Sequence, residues 1–388
     1  MSQGVGWTTA ALLACGLCGC AANPPVKIAA PSQPLDLQYP QEPPDPSDLA
    51  RLPALWEQEP QRSAFRIESG PLIGRANFDE LDGPLASQYA RSPYLVAEGG
   101  DDDRQLVTRL PSEGARPLMQ QANQAFAAGR LDEALAGYRQ VIERDPQFAK
   151  PYFYVAEIES QRRDLEAAAA WIDRGLRLSP RDTYAYALRA EILTATGRPE
   201  AARGDLAYAL ALDPFSPRGL KLLRQLGGAR TPGIEPPVLV ARAAPSDGGA
   251  AVLVARGGGH PAWRPYAVCR ALLAFDAGIR AEFVQSPAQQ SRPGTRSLEE
   301  ETTCGYLATA AYRQARGAGG GAGDPDLERW SKAYDLNLLR EAILYETIGA
   351  RRQEVLPLLS DDALHRMVDY VRLFVLPPGP AASAGVTR

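Results

Sequence analysis

Histidine is nearly absent from this 388-residue chain, with only His260 and His365 present. A catalytic imidazole pair or a His-rich metal site has little to build on. No HExxH or GxSxG pattern occurs. The Gly-rich GAGGGAGD at residues 317–324 lacks the Lys-Ser/Thr of a phosphate loop and follows a helical pattern, so it reads as a linker. An excess of basic charge is also missing: 42 Lys and Arg face 46 Asp and Glu, for a net charge of −4, which excludes a nucleic-acid surface. The uncharged run at residues 4–20 falls short of the ~20 apolar residues of a membrane-spanning helix. The carboxylates are numerous, but they sit on polar helix faces where solvation is their usual role. No acid/base pair stands out, and the expectation is a protein that is not an enzyme and that uses no cofactor, metal or small-molecule substrate.

Cysteine is scarce and oddly placed. Three of the five, Cys15, Cys18 and Cys20, fall within LLACGLCGCAANPP, residues 12–25. As metal ligands they lack a second ligand pair at a distance and any nearby histidine. As the end of a short apolar run at the N-terminus they fit the core of an export signal. The stretch resembles a bacterial lipoprotein signal, in which a Leu stands three positions before an obligatory Cys. LCGC (Leu17 to Cys20) supplies that pattern, and LLAC (Leu12 to Cys15) is the alternative. The sequence departs from the pattern in having no Lys or Arg before the apolar run. The resemblance implies a signal peptide at 1–20, lipid on Cys20 (alternatively Cys15), and a place in the cell envelope. With Ala21 after the cysteine, it implies the periplasmic face of the outer membrane.

Proline and glycine, 34 and 35 residues, are concentrated between patterned segments. Residues 21–110 show no sustained helical period and are dense in Pro, so they read as a disordered, extended tether. Pro-rich runs also serve as ligands for aromatic grooves. EGGDDDR (98–104) reads as a solvated acidic turn.

The strongest pattern follows Pro111. GRLDEALAGYRQVIERDP, RDLEAAAAWIDRGLRLSP and GRPEAARGDLAYALALDP place Pro146, Pro180 and Pro214 at intervals of 34 residues. Within the first, Leu131, Ala134, Leu135, Tyr138, Val141 and Ile142 make one apolar helical stripe that a single helix pair cannot bury, so units must stack. The three segments resemble tetratricopeptide repeats, helix–turn–helix units of this period. Ala122, Ala156 and Ala190 match the small first-helix positions, and Ala134, Ala168 and Ala202 the second-helix ones. Gly129 and Gly197 match the turn glycine, with Arg163 in its place in the middle unit. The expected fold is mostly α: a three-unit repeat solenoid with a capping helix over 111–228, a linker or hairpin over 229–259, a smaller helical C-terminal domain over 260–377, and a tail at 378–388.

The resemblance implies a concave groove made by the first helices, lined by Asn123, Phe126, Phe153, Glu157, Tyr184 and Glu191. Met119, Tyr184 and Leu188 stand where the family's carboxylate-gripping cations would be. An extended apolar or basic peptide of a protein partner is therefore expected. The same spacing also suits Phe126 and Phe153 packing between units. In the C-terminal part, Ser297, Asp324 and Ser360 are expected N-caps, with Glu300 completing a capping box after Ser297. Cys269 and Cys304 lie on different helices, and outside the cytoplasm they are expected to form a disulfide; two buried thiols are the alternative.

Overall fold

The computed structural model describes Arg51 and residues 65–70, 94–101, 103–226, 240–243, 251–256, 260–275, 277–283, 298–319, 323–349 and 353–376, all within one unit, Asp36–Arg388. The signal, its cysteines, most of the tether and the C-terminal tail lie outside the described residues.

Six helices form three antiparallel pairs: α1 (Arg116–Ala127) with α2 (Leu131–Arg144), α3 (Lys150–Gln161) with α4 (Leu165–Leu178), and α5 (Thr183–Ala195) with α6 (Pro199–Leu212). A shorter α7 (Pro217–Gln225) follows as the capping helix. Pro at the first turn starts α1, α3, α6 and α7, where its missing N–H costs nothing. The side chains of Asp164, Asp182 and Ser216 cap α4, α5 and α7 by accepting from backbone N–H groups three residues on.

Within each pair the turn closes on one left-handed residue, Gly129 (φ 73°), Arg163 (φ 68°) or Gly197 (φ 72°). The arginine bears a steric cost of about 1 kcal/mol that the glycines avoid. The alanine seams are fully closed: Ala122, Ala134, Ala156, Ala168 and Ala190 are at most 1% exposed. Gly137 sits so near Ala122 that an added Cβ would come within 2.9 Å of the Ala122 Cβ.

Three stretches of the expected tether are strands. β1 (Phe65–Gly70) pairs in parallel with β5 (Ala251–Arg256), which also pairs antiparallel with β4 (Val240–Ala243), giving the order β1-β5-β4. The 229–259 region thus contains a hairpin, with Val240 opposite Val254. β2 (Leu95–Glu98) and β3 (Gln105–Thr108) form a second hairpin. The tether reading missed these strands because four to six residues suffice for one, and the partner of β1 lies far away in sequence. The acidic stretch 98–104 turns this hairpin at Gly99 (φ 106°), and it is docked: Asp101 accepts from the backbone N–H of Asp361 at 2.9 Å.

The C-terminal helices are α8 (Trp263–Phe275), α9 (Ala277–Phe283), α10 (Leu298–Gly317), α11 (Pro325–Asp335), α12 (Leu339–Ile343) and α13 (Asp361–Tyr370). π-helical turns extend α12 over Leu344–Gly349 and α13 over Val371–Val375, and a 3-10 turn covers Gln353–Leu358. Asp324 and Ser360 cap α11 and α13. Ser297 lies outside the described residues, and Glu300 is buried in an ion pair with Arg280 at 2.6 Å. Cys269 of α8 and Cys304 of α10 are bonded, with both residues fully buried. The α11–α12 corner closes on Asn337 (φ 56°) with the bonds Leu336 N–H to Lys332 O, Asn337 N–H to Tyr334 O and Leu338 N–H to Ala333 O. Ala128, Gly129 and Arg130 make the same set between α1 and α2. The corner is therefore a fourth copy of the repeat turn.

This C-terminal body is held to the repeats by charge and by rings. Arg181 donates to the carbonyl oxygens of Pro357 and Leu359 and pairs with Asp361. Arg104 of the β2–β3 hairpin reaches the same Leu359 carbonyl at 2.6 Å and Asp361 at 3.2 Å. Burial pulls the Arg181 pKa down, against the pull of Asp361. His365 of α13 lies 3.0 Å from the Tyr208 hydroxyl, and Tyr208 stacks on Tyr186 at 4.8 Å.

Candidate functional site

The first helices of successive units carry one aromatic row. Phe126 of α1 lies 6.2 Å from Tyr154 of α3, and Tyr154 lies 6.1 Å from Tyr184 of α5, centroid to centroid. Tyr138 of α2 fills the gap from behind, 5.1 Å from Tyr154 and 6.3 Å from Phe126. Its hydroxyl donates to Asn123 Oδ1 at 2.9 Å, which fixes the asparagine. Phe126, Tyr154 and Tyr184 are half-buried.

Arg218, from the capping helix, ends the row. Its guanidinium stacks 4.9 Å above the Tyr184 ring, and it donates to Glu191 at 2.6 Å and to Glu157 at 2.8 Å. One cation therefore ties α3, α5 and α7 together across the concave face. A cleft of about 600 Å³ opens beside it, lined by Ser160, Leu188 and Lys221 among others.

Of the six residues expected in the groove, Asn123, Phe126, Glu157, Tyr184 and Glu191 come together on this face. Phe153 does not: it is 0% exposed and packs into α4. The cause is Gly175, where a Cβ would come 2.3 Å from the Phe153 ring. Val141 and Ala209 hold that place in the other units, so glycine here was the available signal that Phe153 points inward. Its neighbour Tyr154, 100° around the helix, takes the groove instead. Arg218 pairs with both Glu157 and Glu191, one cation against two carboxylates. Nothing in local spacing pointed to that, since Arg218 lies 61 and 27 residues away.

The electrostatics favour neutral donors. Burial pushes the Tyr154 phenol up to about 12, with Tyr94, Asp182 and Glu157 adding to the effect. Burial raises Tyr138 further still. Both are protonated at neutral pH. The Tyr184 hydroxyl oxygen is buried without a hydrogen-bond partner. Among the described residues no group of three or more His, Cys, Asp or Glu could hold a metal ion, and no helix is long and apolar enough to cross a membrane.

The tetratricopeptide repeat family matches residues 125–192, the stretch from the end of α1 into α5. Similar solved structures include the first TPR of Spaghetti (RPAP3) bound to the HSP90 peptide SRMEEVD, 24% identical, covering 30% of this chain and 94% of that one, with a TM-score of 0.29. The Arabidopsis OM64 TPR domain is 18% identical over 29% of this chain and 93% of that one, at 0.28. The TPR2B domain of yeast Sti1 in complex with pHsp70 is 20% identical over 29% and 90%, at 0.27. No curated protein sequence matches the chain. The chain carries tetratricopeptide-type helical repeats within a mostly helical fold.

Proposed function

We propose that the protein is a docking scaffold that holds an extended segment of another protein along the concave face of its repeats. The observation that carries this reading is the unbroken row Phe126–Tyr154–Tyr184, ended by Arg218. Rings of this kind supply rigid contact area at low entropic cost. They are half-buried and lie on the first helices of three successive units. Catalysis is not part of the reading: the row has stacking surfaces and hydrogen-bond donors, and its two carboxylates are tied to one arginine.

The setting we propose is the cell envelope, with the chain anchored to the outer membrane by lipid on Cys20. Two observations support it. LCGC fits a lipoprotein signal, and a bonded Cys269–Cys304 pair belongs in an oxidising compartment. The Pro-rich segment after the cysteine then acts as a spacer.

The test places a photo-crosslinking amino acid at Gln161 or Thr194, both exposed on the first helices, and at Glu200 on the outer helix α6 as a control. Irradiated cells should give a discrete adduct from the first two positions and none from the third. The reverse pattern would move the docking face elsewhere. Cys20→Ser should release the protein from membranes under mild washing; a variant that stays bound removes the anchor.

A second reading is a structural subunit that joins an envelope assembly through the C-terminal helices. The observation in its favour is a set of large apolar side chains left in solvent there, Leu373 at 59%, Leu336 at 55% and Tyr334 at 47%.

A further inference from the structure

We infer that the C-terminal body rests on the bilayer surface through Tyr334, Leu336 and Leu373, a shallow second contact beside the lipid. This rests on the proposed anchor at Cys20, and it gives the exposed apolar side chains to lipid rather than to an assembly partner.

Among the described residues four large apolar side chains stand exposed, and three of them belong to the C-terminal body. Tyr334 and Leu336 precede Asn337 at the α11–α12 corner. Arg366 of α13 donates to the Asn337 carbonyl and so ties α13 to that corner. Leu373 follows Arg366 by about two turns, roughly 10 Å along the helix, and it too faces solvent. The three side chains therefore border one stretch of surface.

The route of the chain says what covers this surface. Arg51, the first described residue after Cys20, pairs with Glu282 of α9 at 2.5 Å and lies over the Phe283 ring at 5.8 Å. β1 follows, in a sheet that packs on α8. The β2–β3 hairpin then docks on Leu359 and Asp361. The chain thus meets the C-terminal body three times before the first repeat helix begins at Arg116. Residues 21–50 separate Cys20 from the first of these contacts, at most about 100 Å of chain when fully drawn out. A lipid at Cys20 therefore brings the C-terminal body to the bilayer ahead of the repeats.

Three side chains are too few to hold a free protein on a bilayer, since even a whole acyl chain binds only marginally. Beside an anchor a weak contact suffices, because tethering turns the second binding event into an intramolecular one. The nearby cations are matched by acids. Arg313 stacks on Tyr334 at 4.7 Å and pairs with Asp335 at 2.7 Å, and Arg366 pairs with Glu341 at 2.8 Å. The attraction is apolar: two leucines reach the acyl boundary, and the amphipathic tyrosine ring suits the headgroup level.

The test uses the full-length lipidated chain in vesicles of phosphatidylethanolamine and phosphatidylglycerol. Leu336→Cys, Leu373→Cys and, on the outer helix α6, Glu200→Cys each carry an environment-sensitive dye. Flotation in a density gradient first reads the anchor. A quencher borne on the lipid acyl chains then reads the surface, and it should dim the dye at 336 and 373 at least about twofold more than at 200. The difference should persist in about 1 M salt, where charge attraction is screened within about 3 Å. Circular dichroism checks that each variant is folded. Vesicles that float with equal quenching at all three positions keep the anchor and overturn the inference. Quenching lost in salt overturns it by making the contact ionic. A photo-crosslinker at Leu336 that captures a protein in intact cells, without lipid quenching, gives the surface to an assembly partner and overturns it too. A chain that does not float removes the anchor, and the inference falls with it.

Discussion

The repeats and the C-terminal helices are both bundles of short helices, yet they are held together by different physics. In the repeats the seams are alanine against alanine, and several ion pairs keep one side in solvent. Arg130–Glu133, for example, is 55% and 62% exposed, while Lys150–Asp182 is a pair buried on both sides. In the C-terminal body charge goes inside. Glu346 accepts from Arg329, Trp330 and Tyr370, and both members of the Arg329–Glu346 pair are 6% exposed. Glu300 pairs with Arg280 at 1% and 2% exposure, and Tyr266 donates to the buried Glu301 at 2.6 Å. A disulfide joins two of the helices. The comparison teaches that stacking needs only repetition and small residues, because each unit contacts its neighbours in one way. A non-repeating bundle needs specific partners to choose one packing, and buried ions and a covalent bond supply them.

The largest effect that tests this contrast comes from Arg329→Ala, which strands the Glu346 carboxylate without its cation. A loss of about 3–5 kcal/mol is expected in urea unfolding. Arg130→Ala at the exposed seam should cost at most about 1 kcal/mol. Equal losses would erase the distinction. Next comes the Cys269→Ser, Cys304→Ser double variant. Opening a loop of 35 residues' separation should cost about 3–4 kcal/mol by loop entropy. The matching observation is a lowered melting temperature of the native chain in reductant, and an unchanged one would deny the bond a stabilising role.

The repeat side is probed by Gly175→Ala, whose methyl would meet the Phe153 ring. Overpacking of this kind costs about 1–3 kcal/mol. A neutral result in thermal melts would mean that Phe153 can swing away. The smallest effect is at Asp213, which joins α6 to α7 and whose pKa is raised by burial, against the Phe215 N–H that it accepts. Its folded pKa lies above the unfolded one. It therefore favours folding when protonated, and that contribution fades as pH rises through the folded value. Asp213→Asn keeps an acceptor for Phe215 and carries no charge. Its melting temperature relative to the native chain should climb from about pH 4 upward. A gap that shrinks with rising pH would contradict the assigned cause.

The same contrast governs how much the sequence revealed. The three repeats were legible because Pro146, Pro180 and Pro214 fix the period and the alanines recur in register. The capping helix and the caps at Asp324 and Ser360 were legible for local reasons. Phe153 was misplaced because its direction depends on Gly175, one helix away. The Arg218 bridge, the pairing of Phe65 with Ala251 and the docking of Arg104 on Leu359 join residues far apart, and local periodicity carries no trace of them. In the C-terminal part the helices were visible, but their buried ion pairs were not, since a glutamate on a helix looks the same whether its partner is water or arginine. Asn337 had offered a hint of the fourth repeat turn, as asparagine tolerates the left-handed region better than most residues.

Arg104 and Arg181 converging on Asp361 also have a consequence for the order in which the chain is made. Repeats can settle one after another as they emerge, each on the unit before it. The β2–β3 hairpin emerges ahead of them all, yet its anchor, the Leu359 carbonyl, lies 255 residues downstream of Arg104. Asp361, shared by both arginines, is translated later still. The hairpin therefore waits for its docking partner until all of the repeats have been made.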